Sequence, residues 1–334
     1  MNREDDYLQA WVVTISNEKK LTDLKIATVA KPMPAPDELQ VKVHAVGLNP
    51  VDYKVVTGGG ANWQYPHVIG IDVAGDVSAV GSAVTGFAVG DRVFYHGDLR
   101  RNGSLAAYTV TLSTSVAHLP AELSYVQGAA ILCANLTAYQ ALYRKVNLKT
   151  AHSVLIHAGG GAVGLAALQL AKLLGLQTIT TVSARKRALV DQIGADTVID
   201  YQQTSVTAAV LEATQGRGVD ISLNTIGGAE LAADTERMAY NGQIVAIGDG
   251  YPEQVELDDR ALSLIRSSLG GVYRSKDGLQ IHDLAVMAHD VGQLVVAGKL
   301  APMIDTVQPF SAAATALQQL QAGENVGKLV INLD

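Results

Sequence analysis

The stretch HAGGGAVGLAALQLAKLLG, His157–Gly175, sets four glycines within eight residues and then runs into apolar residues at helical spacing, Leu165, Leu168, Ala171 and Leu174. Just upstream, SVLIHA (153–158) is a short apolar run rich in β-branched residues, which reads as a strand. A glycine loop that leaves a strand and opens a helix has a specific use. Gly159, Gly161 and Gly164 match the G-x-G-x-x-G spacing. In that pattern the first glycine permits the sharp turn, the second brings backbone close to a pyrophosphate, and the third lets the helix pack on the sheet. The helix start adds free N–H groups and the positive end of its dipole. The alternative is a plain strand-to-helix turn with no ligand. A P-loop is excluded, because no G-K-[ST] follows at the required distance.

Downstream the alternation continues. QTITTVS (177–183), DTVIDY (196–201), GVDISLNTIG (218–227) and GQIVAIG (242–248) read as strands. Between them ARKRALVDQIG (184–194), SVTAAVLEATQG (205–216) and AELAADTERMAY (229–240) read as helices. Strands and helices alternating over short connections build a parallel, doubly wound α/β sheet, and this context favours the phosphate-binding reading of the glycines. The part before about Leu119 differs. ELQVKVHAVGLN (38–49) and LAAYTVTL (105–112) carry β-branched residues in partial alternation. VIGIDVAGDVSAVGSAVTGFAVGDRVF (68–94) is broken by closely spaced glycines, which suit the bulges and tight bends of a small barrel. After SSLGGVY (267–273) comes a helical pattern, IHDLAVMAHDVGQLVVAG (281–298). TVQPF (306–310), a short helix and the strand GKLVINL (327–333) close the sequence.

A chain of 334 residues points to two domains. With 48% hydrophobic and 17% charged residues it buries a large core rather than staying disordered. The net charge of −7 argues against nucleic-acid binding, which is normally carried by a basic stripe. No apolar run reaches the roughly 18 residues needed to span a bilayer. MNREDDYLQAW at the start lacks the apolar core of a secretory signal. Cys133 is the sole cysteine, which leaves no internal disulfide and no cysteine-rich structural zinc site. A cytoplasmic location is expected.

An NAD site carries Asp or Glu near the end of the second strand, about 20 residues beyond the loop, to hold the ribose 2′-hydroxyl. Here that strand ends in Thr181-Val182-Ser183 and continues as Ala184-Arg185-Lys186-Arg187, with no carboxylate before Asp191. With Ser183 as N-cap, Arg185 and Lys186 fall in the first helical turn, where cations oppose the dipole at about 0.3–1 kcal/mol each. A bound 2′-phosphate offsets that cost through charge-assisted hydrogen bonds. A solvated basic face is the alternative. The reading favours NADP(H) over NAD(H).

AVGLNPVDYKVVTGG (45–59), PHVIGIDVAGDVSAVGSAVTGFAVGDRVF (66–94), ILCANLTAYQAL (131–142) and VLIHAGGGAVGLAALQLAK (154–172) together resemble the medium-chain dehydrogenase/reductase superfamily. Within it the nearest likeness is to the zinc-independent quinone oxidoreductase, or ζ-crystallin-like, branch. The resemblance runs through GKLVINL and so spans nearly the whole chain. It implies a GroES-like β-barrel catalytic domain, residues 1–125 and 274–334, with a Rossmann NADP-binding domain, 126–273, inserted between its parts. It also implies an active site in the cleft and a homodimer. The loop takes the A-x-x-G-x-x-G form on Ala158, Gly161 and Gly164, so the cofactor-binding run is Ala158, Gly159, Gly160, Gly161, Ala162, Val163 and Gly164. Contacts to the 2′-phosphate carry over to Ser183, Lys186 and Tyr201, beside Arg185. Nicotinamide contacts fall around Asn224-Thr225-Ile226, Ile247-Gly248 and Leu269-Gly270.

Zinc-dependent alcohol dehydrogenases of this superfamily use a Cys in the first motif, the His of a G-H-E motif, and a further Cys or Asp before the Rossmann domain. The matching positions here are Asn49, Ile71 of Gly70-Ile71-Asp72, and Cys133. A catalytic zinc takes about three protein ligands, so no metal is expected. His67 lies before the motif, and Cys133 reads as a small packing residue. Without a Lewis acid nothing strongly lowers an alcohol's pKa, and alcohol oxidation is hard. Reducing a quinone or an α,β-unsaturated carbonyl (an enone or enal) needs only hydrogen-bond donors for the developing oxygen charge.

The candidate catalytic residues are Asn49, to orient or polarise the carbonyl, and Tyr53, to hydrogen-bond or supply a proton, directly or through water. The alternatives are that Asn49-Pro50 sets a turn and Tyr53 is core. Asp52 reads as a structural hydrogen-bonder, and Lys54 stands where the family often has a tyrosine. Asn49, Tyr53, Trp63, Tyr65 and Cys133 are the expected substrate cleft, with packing inside their own loop as the alternative for Trp63 and Tyr65. The expected function is NADPH-dependent reduction of a small-molecule quinone or α,β-unsaturated carbonyl without a metal. The alternatives are an alcohol or aldehyde dehydrogenase and a non-catalytic NADPH-binding protein.

Overall fold

Strands of two kinds organise the chain, as its two textures predict. The computed structural model describes residues 6–14, 20–58, 63–248, 250–251, 257 and 259–334. Among them the strands are β1 (Tyr7–Val13), β2 (Lys25–Ala30), β3 (Glu38–Gly47), β4 (His67–Val68), β5 (Asp72–Val80), β6 (Arg92–His96), β7 (Tyr108–Leu112) and β8 (Ala117–His118). Then follow β9 (Ser153–Ile156), β10 (Gln177–Val182), β11 (Thr197–Asp200), β12 (Val219–Asn224), β13 (Met238–Ile247), β14 (Ser263–Ser267), β15 (Ile304–Pro309) and β16 (Lys328–Asn332). The helices are α1 (Pro50–Gly58), α2 (Tyr125–Ala130), α3 (Cys133–Tyr139), α4 (Ala162–Leu173), α5 (Arg187–Ile193), α6 (Val206–Ala213), α7 (Gly228–Arg237), α8 (Val272–Ser275), α9 (Gly278–Val296) and α10 (Ala313–Gln321). None of the helices among the described residues is long and apolar enough to cross a membrane.

The chain divides into two compact units. Met1–Cys133, Gly270–Gly298 and Pro302–Asp334 form one, and Ala134–Leu269 with Lys299–Ala301 the other. The first border falls after Cys133, beyond residue 125, because α2 packs on β3, β5 and β16 of the strand-rich unit. In that unit one sheet has the order β15-β16-β3-β5-β6-β8 with β7 also on β3, and a second is β2-β1-β4. Apolar residues at alternate strand positions, among them Leu39, Val41, Val43, Val73 and Val93, close over a core shared with Trp11, Leu105, Leu317 and Ile331. The register sets the site. Gly47 of β3 stands opposite Asp72 of β5, and Asp72 opposite His96 of β6, so the three lie in one row across the sheet.

In the second unit six strands, all parallel, follow the order β11-β10-β9-β12-β13-β14. Counted from β9 this is 3-2-1-4-5-6, the order of dinucleotide-binding sheets, which turns around between β9 and β12. Leu155, Ile179, Val210, Val219, Leu231 and Ile244 form its core.

Candidate active site

Asn49-Pro50-Val51-Asp52 is a helix start. Pro50 takes the first position of α1, where a missing N–H is no loss and φ is already helical. Asp52, at the third, reaches back to accept the Asn49 backbone N–H at 2.7 Å, one half of a capping box. The Asn49 side chain turns instead to the sheet. Its amide N–H groups donate to the Gly47 carbonyl at 3.1 Å and to Asp72 Oδ2 at 2.8 Å. Its Oδ1 accepts from Lys328 Nζ at 2.6 Å. The same ammonium donates to Asp72 Oδ2 at 2.9 Å, and the Cys133 backbone N–H lies 3.0 Å from both Asp72 oxygens. His96 Nδ1 is 3.0 Å from Asp72 Oδ1. Asn49, Asp72, His96 and Lys328 are all buried. A Cβ on Gly47 would stand 2.2 Å from the Ala129 carbonyl oxygen and 2.9 Å from Lys328 Cε, so glycine is what lets the lysine stem pass.

Charge balances inside this network. Burial would raise the Asp72 carboxyl, but the Lys328 ammonium and the bonds from His96 and Asn49 outweigh it and hold Asp72 below the usual carboxylate range. Asp52 is treated in the opposite way. Burial pushes it up to about 7, helped by the nearby Asp72 charge and opposed by the Asn49 backbone N–H and Lys328. Its Oδ1 is buried and has no hydrogen-bond partner among the described residues.

The remaining residues expected in the cleft separate into anchored and open groups. Tyr53, on α1, is half-buried against the core and its hydroxyl has no hydrogen bond among the described residues. The Trp63 indole donates to the Leu99 carbonyl at 2.8 Å and stacks on His67, ring centroids 3.9 Å apart, while Tyr65 meets Trp63 edge-on. The Trp63 ring therefore packs its own loop. Burial pushes His67 down to about 4, and its ring lies on Trp63, away from the Asp72 network.

In the parallel unit the glycine loop joins β9 to α4. Ala158 has φ 53°, and the Gly159 N–H donates to the Thr181 carbonyl at 2.8 Å. A Cβ on Gly159 would lie 2.1 Å from Thr180 Oγ1, and one on Gly164 2.4 Å from the Ala158 oxygen. Both glycines are required by close packing, Gly164 against the backbone of the loop itself. Gly161 precedes α4 and supplies no side-chain cap, so the N–H groups of Ala162, Val163 and Gly164 start the helix without intrahelical acceptors. Such a helix start fits a pyrophosphate.

Ser183 follows β10 at the start of the turn Ala184–Lys186, with no capping bond from its side chain. The Lys186 Cβ lies 2.5 Å from where a Gly160 Cβ would be, so its stem runs against the loop; Arg185 and Tyr201 are exposed. Asn224 is buried. Its amide donates to Asp234 at 2.8 Å and its Oδ1 accepts from the N–H groups of Ile226 and Gly227. Asp234 also receives Ser222, Arg237 and His157 Nε2, the last at 2.8 Å, and Thr225 Oγ1 reaches the His157 carbonyl at 3.4 Å. One buried carboxylate thus fixes both the residue before the glycine loop and the Asn224 turn. Ile247 ends β13 before Gly248 at φ 89°, and Leu269 is buried. Gly270 adjoins the His96 ring in the strand-rich unit.

Sequence patterns did not single out Lys328, His96 or Asp234. A lysine in the otherwise apolar GKLVINL strand was the one local signal of a buried cation.

Residues 35–121 match the model of the alcohol dehydrogenase GroES-like domain, and 193–331 that of zinc-binding dehydrogenases. The quinone oxidoreductase of Sus scrofa is 31% identical over 309 residues, covering 91% of this chain and 92% of its own. The chain belongs to the medium-chain dehydrogenase/reductase superfamily. Among solved structures, the quinone oxidoreductase of Pseudomonas syringae pv. Tomato DC3000 superposes with a TM-score of 0.87 at 27% identity, covering 98% of this chain and 100% of that one. The CurK enoyl reductase does so with 0.85 at 25% identity, covering 99% and 100%. As a medium-chain dehydrogenase/reductase the protein is an oxidoreductase of a family that works on small molecules with a nicotinamide cofactor.

Zinc is the test that divides this superfamily. Asp72, His96 and Cys133 bring one possible ligand atom each within 4.8 Å of one another. Ile71 offers none, and the Asn49 oxygen faces Lys328. Both Asp72 oxygens and His96 Nδ1 are already hydrogen-bonded, and an ammonium, which cannot ligate, stands 2.9 Å from the carboxylate. As arranged, this donor set does not fit a zinc ion.

Proposed function

We propose that this medium-chain dehydrogenase/reductase uses NADPH to reduce a quinone or an α,β-unsaturated carbonyl without a metal. One observation carries the reading: Lys328 Nζ, 2.6 Å from Asn49 and 2.9 Å from Asp72, stands among the very groups that would otherwise hold a metal ion. When bound, the nicotinamide supplies hydride. The free N–H groups at the start of α4 hold the pyrophosphate, and Ser183, Arg185, Lys186 and Tyr201 take the 2′-phosphate. The Asp234 network keeps the Asn224–Thr225 turn and the glycine loop in fixed relation, and these segments would hold the nicotinamide cofactor. Nicotinamide contacts are also assigned, from the family resemblance, to Ile247, Gly248, Leu269 and Gly270. Tyr53, whose hydroxyl has no partner among the described residues, donates to the substrate oxygen. Asn49, with both N–H groups given to protein acceptors, acts by holding Lys328 and Asp72 in place. The reading includes a cytoplasmic homodimer.

The test is NADPH oxidation against 1,2- and 1,4-quinones, enones, enals and simple aldehydes, with and without EDTA, repeated with NADH. Turnover is expected with quinones or conjugated carbonyls, unchanged by EDTA and at least about tenfold weaker with NADH. Activity confined to simple alcohols or aldehydes and abolished by EDTA would overturn the reading.

A further inference from the structure

Among the groups bonded to Asp72, His96 has a ring nitrogen to spare. His96 is 2% exposed, with Nδ1 on Asp72 and its backbone carbonyl accepting the Tyr273 hydroxyl, yet Nε2 has no hydrogen-bond partner among the described residues. Nε2 is not among the fully buried side-chain atoms left without a partner, so the little exposure the ring keeps includes this nitrogen, and an unpaired, reachable nitrogen on a rigid group marks a place for a ligand. The ring is rigid for stated reasons. Antiparallel pairing of β5 with β6 sets His96 directly opposite Asp72, and the Tyr273 bond fixes its backbone from a different segment. Asp72, ionised and already accepting from Lys328 and Asn49, can only accept from Nδ1, which therefore carries a proton. Nε2 is left as the exchangeable position. Beside it stands Gly270, where even a Cβ would sit 3.7 Å from Nε2, so no side chain covers the nitrogen from that segment.

We propose that His96 is the acid of this enzyme, delivering the Nε2 proton to the substrate as it is reduced, with Asp72 and Lys328 as its positioning residues. The proposal rests on the reductase reading above. For an α,β-unsaturated carbonyl, the hydride electron pair forms the new C–H bond at the β-carbon and the C=C pair moves toward oxygen to give an enolate. The Nε2–H bond of the imidazolium then breaks, its electron pair stays on nitrogen, and the proton bonds to the enolate. A quinone takes the same hydride and the same proton to become a hydroquinone. His96 is left neutral, with Nδ1–H still on Asp72, and regains a proton from water. The charged and titratable groups around the ring are Asp72 from β5, Cys133 from the start of α3, Tyr273 from α8 and, through Asp72, Lys328 from β16.

Two variants test it. His96→Asn keeps an N–H for Asp72 and has no atom at Nε2; His96→Ala opens a space that free imidazole can fill. With the quinone or enone that wild type reduces, His96→Asn is expected to lose about 100-fold in kcat. Its NADPH dissociation constant, read by fluorescence titration, should stay within about twofold, and its melting temperature should be retained. Added imidazole should restore turnover to His96→Ala, and substituted imidazoles should do so in order of their acidity, which a merely structural role cannot produce. A His96→Asn enzyme within about threefold of wild type, or a folded His96→Ala that imidazole leaves unchanged, would overturn the proposal and leave the reductase reading standing. A wild-type enzyme that oxidises NADPH with no quinone, enone or enal would overturn both.

Discussion

Asp52 carries a carboxyl that costs the fold something whenever it ionises. Free, such a group titrates at 3.8; here burial pushes it up to about 7. Below pH 4 it holds its proton in both folded and unfolded chains. Between about 4 and 7 only the folded chain holds it, so stability falls as pH rises through that window and is flat above it. The total is on the order of 4 kcal/mol. His67 works in the opposite direction. Burial pushes it down to about 4, so the unfolded chain takes up its proton first and stability is lost as pH falls from 6.5 toward 4. Asp52→Asn isolates the first effect, because its amide oxygen still accepts the Asn49 N–H while carrying no charge. The unfolding free energy of wild type minus that of Asp52→Asn should decline from pH 5 to pH 7 and then level off in urea titrations. A difference that does not change with pH would show that Asp52 is ionised throughout. The sequence announced Asp52 as structural through its place in Asn-Pro-x-Asp, a purely local motif. It could not announce the titration, which depends on burial contributed by distant segments.

The glycine loop is an element in which requirements of fold and of ligand sit side by side and can be separated. Gly159 is held by the fold, since a Cβ there would overlap Thr180 Oγ1 at 2.1 Å. Gly161 is different: a Cβ there would meet only the Ala158 oxygen, at 3.3 Å, and its backbone is extended at φ −88°. Gly161→Ala should therefore fold with a melting temperature close to wild type and yet bind NADPH at least about tenfold more weakly, because the pyrophosphate must come against that backbone. Gly159→Ala should lose stability and binding together, by roughly 1–3 kcal/mol of strain in the fold. Fluorescence titration and thermal unfolding of the two variants read this directly, and a Gly161→Ala protein that binds NADPH like wild type would remove the loop from the cofactor site. This element was legible because strand, loop and helix are contiguous, and their spacing states the geometry. The row Gly47, Asp72, His96 was not legible. It exists only once β3, β5 and β6 are paired in register, and no local pattern carries register between strands so far apart in sequence.

Across the whole molecule, Lys328 joins the last strand to the first helix start. It belongs to a unit assembled from three separate stretches, and its two partners precede it by 279 and 256 positions. Buried ion pairs contribute little compared with an apolar replacement, but breaking one partner leaves a charge stranded in low dielectric. Lys328→Met fills much the same volume and strands Asp72, so it should cost about 3–5 kcal/mol in urea unfolding at pH 7. Asp72→Asn combined with Lys328→Met strands no charge, although Asn49 Oδ1 loses its donor. The double variant should recover about 2 kcal/mol or more of the sum of the single losses. Additive losses would mean that the lysine stem, packed against Gly47, stabilises the protein by volume alone and that the ammonium is incidental. Non-additive losses would tie chemistry and folding to the same atom. The cation that keeps Asp72 ionised, and through it keeps the proton on His96 Nδ1, would then be one that the strand-rich unit cannot lose without losing its own stability. On the metal-free reading proposed above, that coupling would let a fold shared with zinc-binding dehydrogenases hold its polar centre rigid around an ammonium in place of a metal ion.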